Sequence, residues 1–263
     1  MRRGYVDTLA GQVHFVTAGT SGPWLVLHHE SPLSWRVFEP AIGMLEEHFR
    51  VFIPDTPGYG GSDVGEQEWG IPDYGRTLLD GVRKVVGNDP FLVGGCHTGA
   101  SIALEVAAQS GGQAQGLALM GLPAYDDETR AEKLAHWAPN VSVQEDGSHL
   151  SLMWNRYSRI WNQPPLAAKN RAVLDVLGAL EHYNWGYNAA FRYDPVPTLL
   201  SLEIPVMFIT AEFDALADAD RRCAELIGAV LVQIDGISGQ IGIREPQRLT
   251  RELLAFAKVA ARR

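Results

Sequence analysis

Histidine runs out early in this chain. Eight histidines occur among 263 residues, and none lies beyond His182. Cysteine is scarcer still, with only Cys96 and Cys223. Two cysteines so far apart form no disulfide framework, no CxxC redox pair and no Cys/His metal cluster, so free thiols and no bound metal are expected. Basic residues are in deficit, 22 Lys and Arg against 31 Asp and Glu, for a formal net charge of −9. That balance argues against a general nucleic-acid binder or a protein drawn to anionic membranes. Long apolar runs are missing as well. No segment approaches the roughly 20 residues a membrane span requires, and Met1-Arg2-Arg3-Gly4-Tyr5 has no apolar signal core. The expectation is a cytoplasmic protein whose partner is a small-molecule substrate, with no nucleic acid and no membrane. A homodimer is compatible with this composition.

What the chain does contain is material for a core. Hydrophobic residues make up 46% and charged residues 20%, ordinary for a packed globular protein. Residues 4–9 and 12–18 read as a hairpin around Ala10-Gly11-Gln12. Trp24-Leu25-Val26-Leu27-His28, Val51-Phe52-Ile53-Pro54, Leu117–Met120, Val206–Thr210 and Val230–Ile234 are short, continuous apolar runs, the pattern of strands buried on both faces. Helical stripes separate them, as at Tyr74, Leu78, Val82 and Val85. Repeated strand–helix alternation implies a mostly parallel twisted sheet flanked by helices. From 122 to 198 the alternation stops. Leu150, Trp154, Tyr157 and Trp161 share one helical face, and aromatics are concentrated there. This segment reads as an inserted helical cap on a core formed by 1–121 and 199–263.

One stretch carries the clearest chemistry. In Phe91-Leu92-Val93-Gly94-Gly95-Cys96-His97-Thr98-Gly99-Ala100 an apolar run meets a glycine pair and then a helix-like segment. A strand that turns sharply into a helix needs small residues where the two cross. The helix start also turns backbone N–H groups toward the turn. We place Cys96 at the apex as candidate nucleophile, since a thiol is reactive without a strong base where a serine is nearly inert.

Four further pieces join this turn in an ordered set that resembles the α/β-hydrolase superfamily. His28-His29-Glu30-Ser31-Pro32 resembles its His-Gly-x-Pro oxyanion loop. Asp55-Thr56-Pro57-Gly58-Tyr59-Gly60-Gly61-Ser62-Asp63 resembles its Asp-x-x-Gly-x-Gly-x-Ser turn. The inserted helices occupy the place of the cap, and Thr210-Ala211-Glu212-Phe213-Asp214 resembles the strand end that bears the triad acid. The resemblance is to the capped branch that holds small esterases and epoxide hydrolases. It implies an α/β fold with a cap, no required cofactor, Asp214 as the acid, and an oxyanion hole from the N–H groups of Glu30 and His97. His29 lies at the same sheet edge, and Trp154 in the cap is expected to face substrate. The departure is at the base: Gly236-Ile237-Ser238-Gly239-Gln240 holds Gln240 where the family carries histidine, and glutamine takes no proton.

Three functions follow from these residues. One is a hydrolase-like enzyme that attacks a small, largely apolar ester, thioester or lactone through Cys96. Another is a lyase, cyclase or isomerase that has abandoned hydrolysis in the same pocket. The last is a ligand-binding pseudoenzyme. Cys96 favours the first, and Gln240 favours the other two.

Overall fold

Apolar runs too short for helices and too continuous for a half-exposed sheet become the central strands. The computed structural model describes residues 1–9 and 11–261, so Ala10 of the first hairpin lies outside the described residues. The strands are β1 (Arg2–Thr8), β2 (Gly11–Ala18), β3 (Trp24–His28), β4 (Arg50–Pro54), β5 (Phe91–Cys96), β6 (Ala114–Met120), β7 (Val206–Ala211) and β8 (Val230–Ile234). They form one sheet in the order β1-β2-β4-β3-β5-β6-β7-β8. β1 and β2 pair antiparallel, and β2 joins β4 antiparallel. From β4 to β8 every neighbouring pair is parallel. The mostly parallel sheet expected from the sequence is present.

Helices cover both faces, which is why the central strands are buried on both sides. α1 (Glu39–Leu45) and α11 (Pro246–Ala260) close one face, where Ile42, Leu45, Leu249, Leu253 and Phe256 meet Leu25, Leu27 and Ile53. α2 (Ile71–Val86), α3 (Thr98–Gln109) and α9 (Ala217–Ile227) close the other. Cys223 is buried there beside Ala219 and Phe208, as a small apolar residue.

Between β6 and β7 the described residues contain five helices and no strand: α4 (Asp127–His136), α5 (Ser148–Ile160), α6 (Leu166–Gly178), α7 (Trp185–Arg192) and α8 (Val196–Ser201). The buried Tyr59 ties them to the core, its hydroxyl accepting from Gly186 N–H at 2.6 Å. Asp55 holds the loop beneath. Its Oδ1 accepts from Trp35 N–H at 2.7 Å, and its Oδ2 accepts from Gly61 N–H at 3.0 Å and bonds His14 Nδ1 at 2.8 Å. Because β3, β5, β6 and β7 run parallel, their C-terminal ends bring Glu30, Cys96, His97, Gly121 and Asp214 to one edge, below the inserted helices.

Candidate active site

The turn between β5 and α3 has its apex at His97, one residue later than the sequence reading placed it. His97 has φ 48° and ψ −116°, a strained backbone for any residue with a side chain. Gly95 and Gly99 are the crossing pair. A Cβ on Gly95 would run into the Gly99 carbonyl, and one on Gly99 into the His28 carbonyl. The small residues therefore stand two before and two after His97. Cys96 is the last residue of the strand, its Sγ 3.9 Å from the His28 carbonyl oxygen, and it lines a small neighbouring cavity of about 20 Å³ with Glu30, His97, Asp214 and Gln240.

The imidazole at the apex is held from both sides. Its Nδ1 lies 2.7 Å from Glu30 Oε2 and its Nε2 2.9 Å from Asp214 Oδ2. Each bond delivers a ring proton to a carboxylate, so the state that satisfies the site is the imidazolium. Burial opposes that charge, but attraction to Asp214 and Glu30 and the hydrogen bonds to both hold the pKa of His97 well above its ordinary value. For Asp214, burial alone would raise the carboxyl. The charge and hydrogen bond of His97, with Leu216 N–H at 2.8 Å, bring it below its usual range. Cys96 goes the other way. Burial, then the negative charge of Glu30, pushes its thiol well above the usual value, and the Glu30 N–H directed at the sulfur offsets only part of this.

The oxyanion hole expected from His97 and Glu30 is not formed. His97 N–H is spent on the Met120 carbonyl at 2.9 Å, continuing the strand ladder, and Glu30 N–H faces the Cys96 sulfur. Glu30 contributes its side chain instead. His29 does not line the cavity either. Its Nε2 accepts from Thr56 N–H at 2.8 Å, which places its proton on Nδ1, where it donates to the Glu30 carbonyl at 3.0 Å. His29 thus positions the Glu30 backbone. Trp154 is turned away from the site, with Lys169 Nζ 3.7 Å over its ring. Trp137, Tyr157, Trp161 and Tyr187 take the place it was expected to fill.

Above His97 lies a cavity of about 110 Å³ whose wall is mostly apolar and includes six aromatic side chains, with Glu30, His97, Asp214 and Gln240 at the polar end. Gln240 begins the short helix α10 (Ile241–Arg244) in a left-handed conformation, φ 49° and ψ 47°. Its Oε1 is buried without a hydrogen-bond partner among the described residues. The polar end of the cavity thus holds an amide with an acceptor to spare. His28 is fully buried, and burial followed by the charge of His29 lowers its pKa to about 3, so it stays neutral. His149 Nδ1 accepts from Gln144 N–H, and His182 Nε2 bonds the Gly58 carbonyl. Neither lines the cavity. No group of three or more metal-binding side chains occurs among the described residues.

In chemical terms the site is a carboxylate–imidazolium–carboxylate triplet under an aromatic roof. An imidazolium with both N–H groups donated has no lone pair, so His97 is neither nucleophile nor base until a proton leaves it. It is a proton donor flanked by two acceptors. Sequence reasoning missed the His97 side chain and the Glu30 carboxylate as partners. A five-residue window with glycine at both ends, Gly95-Cys96-His97-Thr98-Gly99, was the available signal for the first.

Comparison with known proteins agrees with this architecture. Haloalkane dehalogenase 2 of Mycobacterium tuberculosis (strain ATCC 25618 / H37Rv) is 29% identical over 133 residues, 49% of this chain and 45% of that protein. The soluble epoxide hydrolase of Corynebacterium sp. (strain C12) is 37% identical over 102 residues, 36% of this chain and 33% of that protein. The matched segments span less than half the length of these curated relatives. An esterase from Thermogutta terrifontis superposes with a TM-score of 0.77 at 22% identity, covering 99% of each chain. The enol-lactonase from Burkholderia xenovorans LB400 gives 0.76 at 19% identity, over 97% of this chain and 100% of its own. A profile of the alpha/beta hydrolase family matches residues 18–238. That match runs through the sheet, the turn at His97 and the helices above it, and the chain belongs to the alpha/beta hydrolase family.

Proposed function

We propose that this chain is an α/β-hydrolase-fold enzyme that works by proton transfer rather than through an acyl-enzyme, on a small, largely apolar carbonyl compound, as a lyase or isomerase. The observation that carries the reading is His97 at the apex with both ring nitrogens bonded to carboxylates. In the proposed step, the Glu30 carboxylate takes a proton from the carbon next to the substrate carbonyl. The C–H electron pair becomes the C=C bond of an enol, and the carbonyl π pair moves to oxygen, where His97 delivers a proton. Glu30 ends as the acid and His97 as neutral imidazole. Where the substrate has a β,γ double bond, Glu30 returns its proton to the γ-carbon while the enol O–H proton goes back to His97, which gives isomerisation. Where it has a leaving group on the β-carbon, the enol O–H proton goes back to His97, the enol pair becomes the α,β double bond, and the group departs with its bonding pair and takes the proton from Glu30. Gln240, with its unpartnered Oε1, orients the substrate and takes no proton. Asp214 keeps the imidazolium charged until the substrate draws on it.

The reading with Cys96 as nucleophile on an ester, thioester or lactone requires a thiolate, which burial and the Glu30 charge oppose. One pair of assays separates the two. In deuterium oxide the protein is expected to exchange the benzylic protons of phenylacetone, followed by proton NMR. His97→Gln and Glu30→Gln are each expected to lose about 100-fold or more, and Cys96→Ala to stay within about twofold of the wild type. An acetyl adduct on Cys96 after p-nitrophenyl acetate, with turnover lost in Cys96→Ala, would establish the nucleophile reading instead.

A further inference from the structure

The cavity has two ends of opposite charge. At the floor, Glu30, Asp214 and protonated His97 sum to one negative charge. At the cap end, Lys133 of α4 lines the wall, its Nζ 4.6 Å from the centre of the Trp137 ring and 5.0 Å from that of Tyr125. Trp137 and Tyr125 line the same cavity. Of the acidic residues on its own helix, Asp127 pairs with Arg130, and neither Glu128 nor the adjacent Glu132 makes an ion pair with Lys133; no carboxylate does so among the described residues. Arg156, 5.5 Å from the same indole, forms no ion pair there either and donates Nη1–H to the Trp137 carbonyl at 2.9 Å. The contrast is with Arg192 at Glu68, Arg171 at Glu39 and Lys84 at Asp80, which all have counter-ions.

An ammonium that lies over two ring faces and has no carboxylate partner among the described residues still has hydrogen-bond donors to offer, because cation–π contacts use none of them. An anionic group entering the cavity supplies the missing acceptor. The negative floor repels that group, so only one orientation is favourable, with the anionic end at Lys133 and the opposite end at His97.

We infer that Lys133 is the specificity-determining residue of this site, and that the substrate carries a carboxylate, or an anion of like size, which binds at Lys133 while its carbonyl end faces Glu30 and His97. The inference rests on the proton-transfer reading only for what happens at the His97 end; the charge selection stands on the cavity alone. Arg156 adds positive field behind Trp137.

Three probes of one shape test it: phenylacetate, phenylacetamide and phenyltrimethylammonium, each titrated against the full chain by calorimetry and by the fluorescence of Trp137 and Trp161. Phenylacetate is expected to bind about tenfold more tightly than phenylacetamide, as a charge-assisted hydrogen bond gives. Lys133→Met is expected to erase that difference by weakening phenylacetate alone, and Lys133→Arg to keep it. Unchanged phenylacetamide binding and circular dichroism certify that the Lys133→Met protein is folded. Should that variant fail to fold, Lys133→Gln carries the same comparison. Equal affinity for the two neutral-and-anionic partners in the wild type, absence of binding by either, or tightest binding of phenyltrimethylammonium would each overturn the inference. Deuterium exchange separates the two proposals. Failure of phenylacetone exchange with phenylacetate preference intact removes the proton-transfer reading and leaves the anion site, and the reverse result removes the anion site alone.

Discussion

His97 Nε2 meets Asp214 Oδ2 at 2.9 Å across 117 residues of sequence. In a Ser–His–Asp arrangement the acid touches the base and the base touches the apex. Here the acid reaches the apex residue directly, and Gln240 lies against the same cavity. The imidazole is itself the apex side chain, with no further side chain between it and the acid.

The contact depends on the loop that carries Gln240 coming close to Asp214. Gly239 has φ +100°, and a Cβ there would stand 2.5 Å from Asp214 Oδ2. Gly239→Ala is predicted to cost about 1–3 kcal/mol of stability, from backbone strain and crowding, and to displace the carboxylate. Urea unfolding measures the first effect. A fall in deuterium exchange under conditions where the variant is fully folded measures the second.

Asp220 supports the wall behind His97. It is fully buried and accepts from Gly121 N–H at 2.9 Å and Leu122 N–H at 2.8 Å. A Cβ on Gly121 would lie 2.5 Å from His97 Cδ2, so this loop sets where the imidazole sits. Burial raises the Asp220 pKa to about 7 in spite of those two bonds. Below about pH 4 the carboxyl is protonated folded or unfolded. As pH rises from 4 to 7 the unfolded chain loses the proton and the folded one keeps it, so stability is lost, by at most about 4 kcal/mol. Unfolding at pH 4.5 and 7.5 is predicted to show a smaller decline in Asp220→Asn than in the wild type. An identical decline would mean that Asp220 is ionised throughout.

The apex geometry at residue 97 makes a gain of function testable. His97→Ser combined with Gln240→His restores a hydroxyl at the turn and an imidazole beside Asp214. Glu30→Gly removes a carboxylate that would repel a developing oxyanion. The triple variant is predicted to hydrolyse p-nitrophenyl acetate about 100-fold or more faster than any of the single variants, because the triad members act as a unit. Cys96→Ser in place of His97→Ser, with the same two companions, is predicted to gain nothing, since residue 96 belongs to the strand.

Much of the architecture was legible because it depends on pattern. β3, β5 and β7 are continuous apolar runs, and such runs have few alternatives to a parallel sheet. The gap in strand signal after Gly121 marked the inserted helices for the same reason. The site was harder. Gly94 and Gly95 are adjacent, so two registers of the turn fit the glycine pattern. What selects between them is the close approach of Gly95 to Gly99 and of Gly99 to His28, a contact between segments far apart in sequence. The Glu30 side chain was overlooked because the loop resemblance assigned its backbone a role. Trp154 and Trp137 differ only in which way their helical faces turn, and packing of the inserted helices on the core decides that. Asp214 and Gln240 line the cavity because strand ends and the loops beyond them are fixed by the sheet.

The charge state of His97 tests the account most directly. Its pKa is held well above the ordinary value by Asp214 and Glu30, so its contribution to stability is complete below about pH 6.5 and lost as pH rises through the folded pKa. Asp214, held below its usual range, contributes above about pH 4, and that share is lost as pH falls through its own folded value. Long-range nitrogen–proton NMR of the imidazole ring, with His97→Gln to assign the signal, reads the state without any substrate. Two protonated ring nitrogens at pH 7.5, becoming one in Asp214→Asn at the same pH, is the predicted result. A neutral His97 at pH 7.5 in the wild type would contradict it.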